Sequence, residues 1–185
     1  MTTLVREGPN GRLAIFDSEM VFRYKLVIPI QHPMCGPSMD LVSAYPLRGI
    51  LLSIGLNPST ADEMRNDPTV RRDLGYARAW GYSQLCKANI FAYRSTEPDA
   101  LYDAAEHGQD IVGPDNDEML CNLAATADLV LCVWGNHGAL AGRGAVVRAM
   151  LVARGIRLHH LKLTQPGQPS HNLYLKGDLT PRPWI

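Results

Sequence analysis

The chain has no surplus of either charge, no closely spaced cysteines and no long apolar run, and each lack narrows what it can be. Lysine plus arginine number 18, and aspartate plus glutamate also number 18, in 185 residues. A protein that covers a long stretch of duplex carries a basic surplus, because every neutralised phosphate adds counterion release. Contact with nucleic acid is therefore expected to be local. The four cysteines, Cys35, Cys86, Cys121 and Cys132, lack the Cys-x-x-Cys spacing of a zinc or iron–sulfur site. They are expected to be free thiols in a reducing cytoplasm, with Cys86 and Cys132 serving as small hydrophobes inside strand-like runs. His32, His107, His137 and His171 stand apart, and the adjacent His159 and His160 would face opposite sides of a strand. No metal and no cofactor is expected. No window approaches the roughly 18 uncharged apolar residues of a membrane span, and Met1 to Gly11 lacks the apolar core of a signal peptide. A soluble cytoplasmic protein with no membrane partner is expected.

What is present is a globular composition, 46% hydrophobic and 19% charged, in a length that suits one domain. The pattern divides at about residue 46. Arg12 to Phe16 and Met20 to Ile30 are β-like runs on either side of Asp17-Ser18-Glu19, which predicts a hairpin, and Gln31 to Pro46 is rich in proline and so a loop. Residues 1–46 are thus an N-terminal extension to an α/β core over 47–185. In the core, strands expected at Ile50–Leu56, Gln84–Phe91, Leu129–Trp134 and Arg157–Leu163 alternate with helices at Pro68–Trp80, Pro114–Thr126 and Arg143–Ala153. Such alternation predicts a three-layer α/β/α domain with a mainly parallel four-stranded central sheet. Helix punctuation agrees: Thr60-Ala61-Asp62-Glu63 has capping-box spacing, Asp67-Pro68 sets an N-cap before a first-turn proline, and Gly81 and Gly155 follow helices as stops. Val70, Leu74 and Ala77 share one face of the first helix, while Arg71, Arg72 and Arg78 read as a solvated one.

The ends of the four strands carry polar residues that a parallel sheet would gather at one edge. They are Asn57-Pro58-Ser59-Thr60, Asn89 to Arg94, Trp134-Gly135-Asn136-His137 and Gln165 to His171. Open α/β folds bind ligands at that edge. Gly55-Leu56-Asn57-Pro58 resembles the Gly-x-[Asp/Asn]-Pro loop of the uracil-DNA glycosylase superfamily, Asn89 occupies the place of its base-reading Asn, and Leu131 to His137 is similar to its Leu-Trp-Gly-x-His stretch. A final His-Pro-Ser loop is matched as Gln168-Pro169-Ser170, so the histidine is replaced unless His171 or His137 supplies it. The run Asn57 to Asp62, continued by Asp67-Pro68-Thr69 and Asn89-Ile90-Phe91-Ala92, more closely resembles an uncharacterised bacterial and phage family, the domain of unknown function numbered 1643.

The glycosylase resemblance implies a nucleobase- or nucleotide-recognising protein that hydrolyses an N-glycosidic bond. Asn57 would hold the water, Asn89 would read the base, and Phe91 or Trp134 would offer a stacking face. Gly55, Pro58, Ser59, Asn136, His137, Gln168, Ser170 and His171 would complete the pocket. Its partner would be a nucleobase, a nucleotide or a local stretch of nucleic acid, such as single-stranded or damaged DNA. Because Asn57 is an amide, it can orient a water but cannot take its proton, so catalysis would rest on positioning. Arg94, just past the strand, is the candidate for anion contact at the rim. Two rivals stand beside this: a non-catalytic module that binds a nucleotide or modified base, and another enzyme of nucleotide modification. On structural grounds Asn-Pro-Ser-Thr is also a turn and helix cap, Asn89 a residue bonding nearby backbone, and Trp184 a plug that fastens the tail. Gly135, Gly138, Gly142 and Gly144 match no phosphate-loop signature.

Overall fold

The computed structural model describes residues 3–31, 48–59, 64–95 and 97–184. The strands are β1 (Thr3–Glu7), β2 (Leu13–Asp17), β3 (Arg23–Pro29), β4 (Arg48–Gly55), β5 (Tyr82–Asn89), β6 (Leu129–Cys132), β7 (Leu158–His160) and β8 (Arg182–Pro183). The helices are α1 (Pro68–Ala79), α2 (Pro98–Glu106), α3 (Asn116–Thr126) and α4 (Arg143–Val152). All eight strands lie in one mixed sheet of order β1-β2-β3-β5-β4-β6-β7-β8.

The expectation of a mainly parallel four-stranded sheet is corrected. The β1–β2, β2–β3, β3–β5 and β7–β8 pairings are antiparallel, and the β5–β4, β4–β6 and β6–β7 pairings are parallel. The physical reason lies at the N-terminus. The β2–β3 hairpin forms as expected, its turn closed by the Asp17 carboxylate accepting from Glu19 N at 3.2 Å and Phe22 N at 2.6 Å. It then continues the sheet, because β3 ladders along β5 from Leu26↔Lys87 to Pro29↔Gln84, and β1 adds a further strand outside it. The loop expected over Gln31–Pro46 falls almost wholly outside the described residues, as does the capping box at Thr60–Glu63.

Alternation along the strands builds a core on each side. Leu52, Ile54, Cys86, Ala88, Val130 and Cys132 face Leu101 of α2, Leu120 and Leu123 of α3, and Val147 and Leu151 of α4. Leu51, Leu85, Leu129 and Leu131 face Val70, Leu74 and Ala77 of α1. Each fully buried aliphatic side chain contributes about 1.5–3 kcal/mol. Helix α1 starts where the sequence marks it: the Asp67 carboxylate accepts from Val70 N at 2.7 Å, with Pro68 in the first turn. Gly81 follows α1 at φ 76°, in the left-handed region. No helix among the described residues is long and apolar enough to cross a membrane.

Two polar side chains pin the chain where it leaves β5. Asn116, fully buried at the start of α3, donates to the carbonyls of Asn89 and Ile90 at 3.2 and 3.1 Å. Arg143 donates through Nε to Ile90 O at 2.8 Å and pairs with Asp117. At the far edge Trp184 N bonds Leu158 O at 2.8 Å, and its ring lies 5.5 Å from that of Trp134, which fastens the tail.

Candidate functional site

The sheet face beneath α1 changes character along β4 and β5. It begins with the apolar pair Leu51↔Leu85, then places Ser53 opposite Lys87 and Gly55 opposite Asn89. These polar positions are buried: Ser53 is 0%, Lys87 4% and Asn89 2% exposed. Because β4, β5, β6 and β7 run parallel, their carboxyl ends reach the same edge, and the loops that follow enclose a cavity of about 500 Å³ there. A volume of that size is in the range of small-molecule sites.

The floor is an ionic network. Lys87 Nζ donates to Asp73 Oδ2 at 2.6 Å and to Ser53 Oγ at 3.2 Å. Ser53 Oγ in turn donates to Asp73 Oδ2 at 3.0 Å, and Asn172 Nδ2 donates to Asp73 Oδ1. Asp73 is delivered by α1 and Asn172 by the short 3-10 turn Asn172–Tyr174. An ammonium has three protons to donate. Two of these have protein partners, and Lys87 lines the cavity.

Gly55 lets this floor form. A Cβ there would stand 2.9 Å from Asn89 Oδ1 and 3.2 Å from Lys87 Nζ, so the missing side chain is what allows both groups to lie against the backbone. Asn89 Nδ2 is buried with no hydrogen-bond partner, although its backbone carbonyl is held by Asn116. Leaving a buried amide unpaired costs about 1–3 kcal/mol. Asn57 is held the other way round. Its Nδ2 donates to Ser95 O at 3.1 Å and Ser95 Oγ at 2.9 Å, and among the described residues nothing donates to its carbonyl oxygen.

Trp134 backs one wall, with its indole packed in the core on the α2–α4 side. Trp134 is 1% exposed, and its Nε1 donates to Gln168 Oε1 at 2.9 Å. The indole fits because Gly138 has no side chain: a Cβ there would sit 2.0 Å from Trp134 Cδ1. His171 lies opposite, its Nδ1 accepting from Leu173 N at 3.3 Å. Burial, and then the Lys87 ammonium, push its imidazole below the ordinary value of 6.5 against the pull of Asp73 and Asp67. At neutral pH the ring is therefore uncharged. At the mouth, His137 Nδ1 lies 3.1 Å from Tyr102 Oη.

Of the residues expected to form the pocket, Gly55, Asn57, Ser59, Asn89, Trp134, Asn136, His137, Ser170 and His171 line this cavity. Ser59 is held there by a hydrogen bond to the Asp67 carboxylate. Four others are not brought to it. Phe91 is 1% exposed in the core under α2–α4, because the chain leaves the regular pleat after Asn89 and alternation no longer decides its side. Arg94 runs beside the hairpin turn, donating to Met20 O at 3.1 Å with its guanidinium 5.0 Å from the Phe16 ring centroid, so it does not reach the rim. Pro58 is buried, its carbonyl accepting from Ser95 N at 3.0 Å. Gln168 bonds the Trp134 indole and lines a second cavity with Arg148 and Trp184.

Lys87, Arg23, Lys162 and Tyr174 line the cavity without having been expected, and Asp73 and Asn172 support its floor. The strongest overlooked signal was a lysine inside the apolar stretch Leu85-Cys86-Lys87-Ala88, since charged groups are rarely buried unless paired. Asp73, at the i+3 position of the Val70, Leu74, Ala77 stripe, is its counterpart.

With the Asn57 and Asn89 amides and the cationic side chains of Lys87, Lys162 and Arg23 around it, the cavity can hold a small polar molecule by its edges. No curated protein and no solved structure matches the chain. A family match covers residues 45–173, which takes in every cavity residue named here except Arg23 and Tyr174 and leaves the N-terminal strands β1–β3 outside. Because that match spans more than half of the 185 residues, the chain belongs to the family described as Protein of unknown function (DUF1643).

Proposed function

We propose that the cavity receives a nucleobase, free or carried on a nucleotide or nucleic acid, and that the protein is a hydrolase of the uracil-DNA-glycosylase kind acting in the cytoplasm. The observation that carries this reading is Asn89: a buried amide with an unpartnered Nδ2, on the wall of the cavity. An amide presents a donor beside an acceptor, the pattern that pairs with the edge of a base.

The reaction would run as follows. Asn57, its amide nitrogen fixed on Ser95, accepts from a water through its carbonyl oxygen and aims that water at the sugar carbon. The water oxygen bonds to that carbon as the carbon–nitrogen bond to the base breaks. The bonding pair departs on the base nitrogen, and the surplus proton of the water ends on the released base. A base within a duplex must first leave the stack, which costs a few kcal/mol and is least for damaged, mismatched or single-stranded sites.

A binding module without catalysis is the second reading, favoured by the chemistry of Asn57 itself, which cannot accept a proton. One experiment separates them. Oligonucleotides carrying uracil, hypoxanthine or an oxidised pyrimidine are incubated with the protein and then treated with alkali, which breaks the strand wherever a base is gone. Hydrolysis predicts breaks that vanish in Asn57→Ala while binding persists, and weakened discrimination between bases in Asn89→Ala. Binding without breaks selects the module, and breaks that survive both substitutions defeat the assignment of these residues.

A further inference from the structure

On the foundation of the base-binding reading, we propose that Lys87 is a catalytic residue of this site. Its ammonium holds an oxygen of the bound base and takes up the negative charge that the base acquires as its bond to the sugar breaks. Asp73, Ser53 and Asn172 act through it as positioning residues.

Departure of the base leaves the bonding electrons on the ring and spreads them onto its carbonyl oxygens, so the group opposite those oxygens sets how readily the base can leave. A preorganised donor already aimed at that position is worth more than one that must be recruited from solvent. His171 lies in the position nearest to the histidine that the loop pattern lacks, but its burial and the neighbouring ammonium keep its ring uncharged at neutral pH. Three cationic side chains, Arg23, Lys87 and Lys162, line the cavity. Of these, Lys87 is the one that shares β5 with Asn89, two residues from it.

Its placement is built. The Asp73 and Ser53 bonds fix the ammonium in two directions, and Asn172 holds the second oxygen of Asp73. One proton is left without a partner among the described residues, and Lys87 lines the cavity. Lys87 and Asn89 are two apart on β5 and so point to the same face, both against the bare backbone of Gly55. A base read by Asn89 therefore meets Lys87 along the same edge. A carboxylate on the floor would repel the departing charge, but Asp73 is turned away from it by its bonds to Lys87, Ser53 and Asn172.

The test uses the intact chain and two free bases, uracil and barbiturate. Barbiturate has the outline of uracil with one further ring carbonyl, and it is an anion in neutral water. It therefore mimics the departing base, while uracil mimics the neutral one. Titration calorimetry at neutral pH should show the wild-type protein binding barbiturate more tightly than uracil by about tenfold or more, the worth of one charge-assisted hydrogen bond. The double variant Lys87→Met with Asp73→Asn, which leaves no bare buried carboxylate, should bind the two bases alike.

If wild-type protein binds both bases without preferring the anion, or if the preference survives in the double variant, Lys87 does not have this role and the base-binding reading stands. Should neither base bind to wild type, that reading falls and the proposal falls with it. In the event that the double variant does not fold, as judged by circular dichroism, Gly55→Ala decides. It keeps both charges but sets a methyl 3.2 Å from Lys87 Nζ and 2.9 Å from Asn89 Oδ1, so that the ammonium must give way. Loss of the anion preference supports the proposal, and unchanged preference overturns it.

Discussion

The two faces of β4 and β5 are built by the same alternation and end in opposite conditions. On the α2–α4 side, Leu52, Ile54, Cys86, Ala88 and Ile90 run apolar to the strand ends. On the α1 side the apolar pair Leu51 and Leu85 gives way to Ser53 with Lys87 and then to Gly55 with Asn89. One face is finished by packing. The other stops packing four residues short of the end and encloses a cavity, and it pays with a buried charge and an unpartnered amide. Stability and site thus occupy opposite sides of the same backbone, a few ångströms apart.

The sharpest way to break this comparison is to remove the charge from the cavity face. Lys87→Met alone leaves the Asp73 carboxylate buried without its cation, and the expected loss in urea unfolding is about 3–5 kcal/mol. Adding Asp73→Asn should restore most of it, because removing both charges is far cheaper than stranding one. If the double variant is no more stable than the single, the network is not the paired ionic unit described.

The apolar face should respond differently. Leu52→Ala is expected to cost about 2–4 kcal/mol, the transfer loss plus that of the cavity left behind. Yet uracil affinity measured on the folded fraction should stay at the wild-type level, since Leu52 lies across the sheet from the site. An affinity change as large as the stability change would show that the faces are mechanically coupled.

The smallest effect concerns pH. His171 in the folded chain holds its proton more weakly than the ordinary value of 6.5. Below that value the unfolded chain therefore binds more protons, and stability falls as pH drops through this window while staying flat above it. His160, lowered by burial and by Arg182 and His159, adds to the same slope. His171→Asn, which keeps an acceptor for Leu173 N, should flatten the slope in part. A slope identical to that of wild type would mean that His171 is not held neutral by its surroundings.

Much of the fold was legible because local chemistry and long-range packing agree. The Asp67-Pro68 start of α1, the Val70–Leu74–Ala77 stripe and the apolar runs of β4 and β6 are all signals that tertiary structure had no reason to override. Helix α2 was missed because, among its described side chains, Leu101 and Ala104 are the buried apolar ones, a stripe too short to stand out. Strand β1 is exposed at four of its five positions, so burial wrote no pattern into it, and β8 has two residues. That the hairpin lies against β5 is a pairing between distant segments, which no local periodicity encodes. The site divides in the same way. Residues in turns after strands were found because turn chemistry is local, and seven of them meet at one cavity with Gly55 and Asn89, the last residues of β4 and β5. Phe91 and Arg94 were misplaced because alternation was carried past Asn89, where the regular strand ends. Lys87 and Asp73 were passed over because each sits in an otherwise ordinary element, and only their meeting across 14 positions of sequence gives either a role.

The three tryptophans make this molecule optically informative. Trp134 forms a cavity wall, with the Trp184 ring 5.5 Å away, whereas Trp80 lies just past α1, 5.2 Å from the Tyr76 ring. A guest entering the cavity that Trp134 backs would alter that indole's emission and leave Trp80 as an internal standard, so that occupancy can be followed in dilute solution without any attached dye. With Trp80→Phe in the background, the remaining glow would report on the cavity and the docked tail alone.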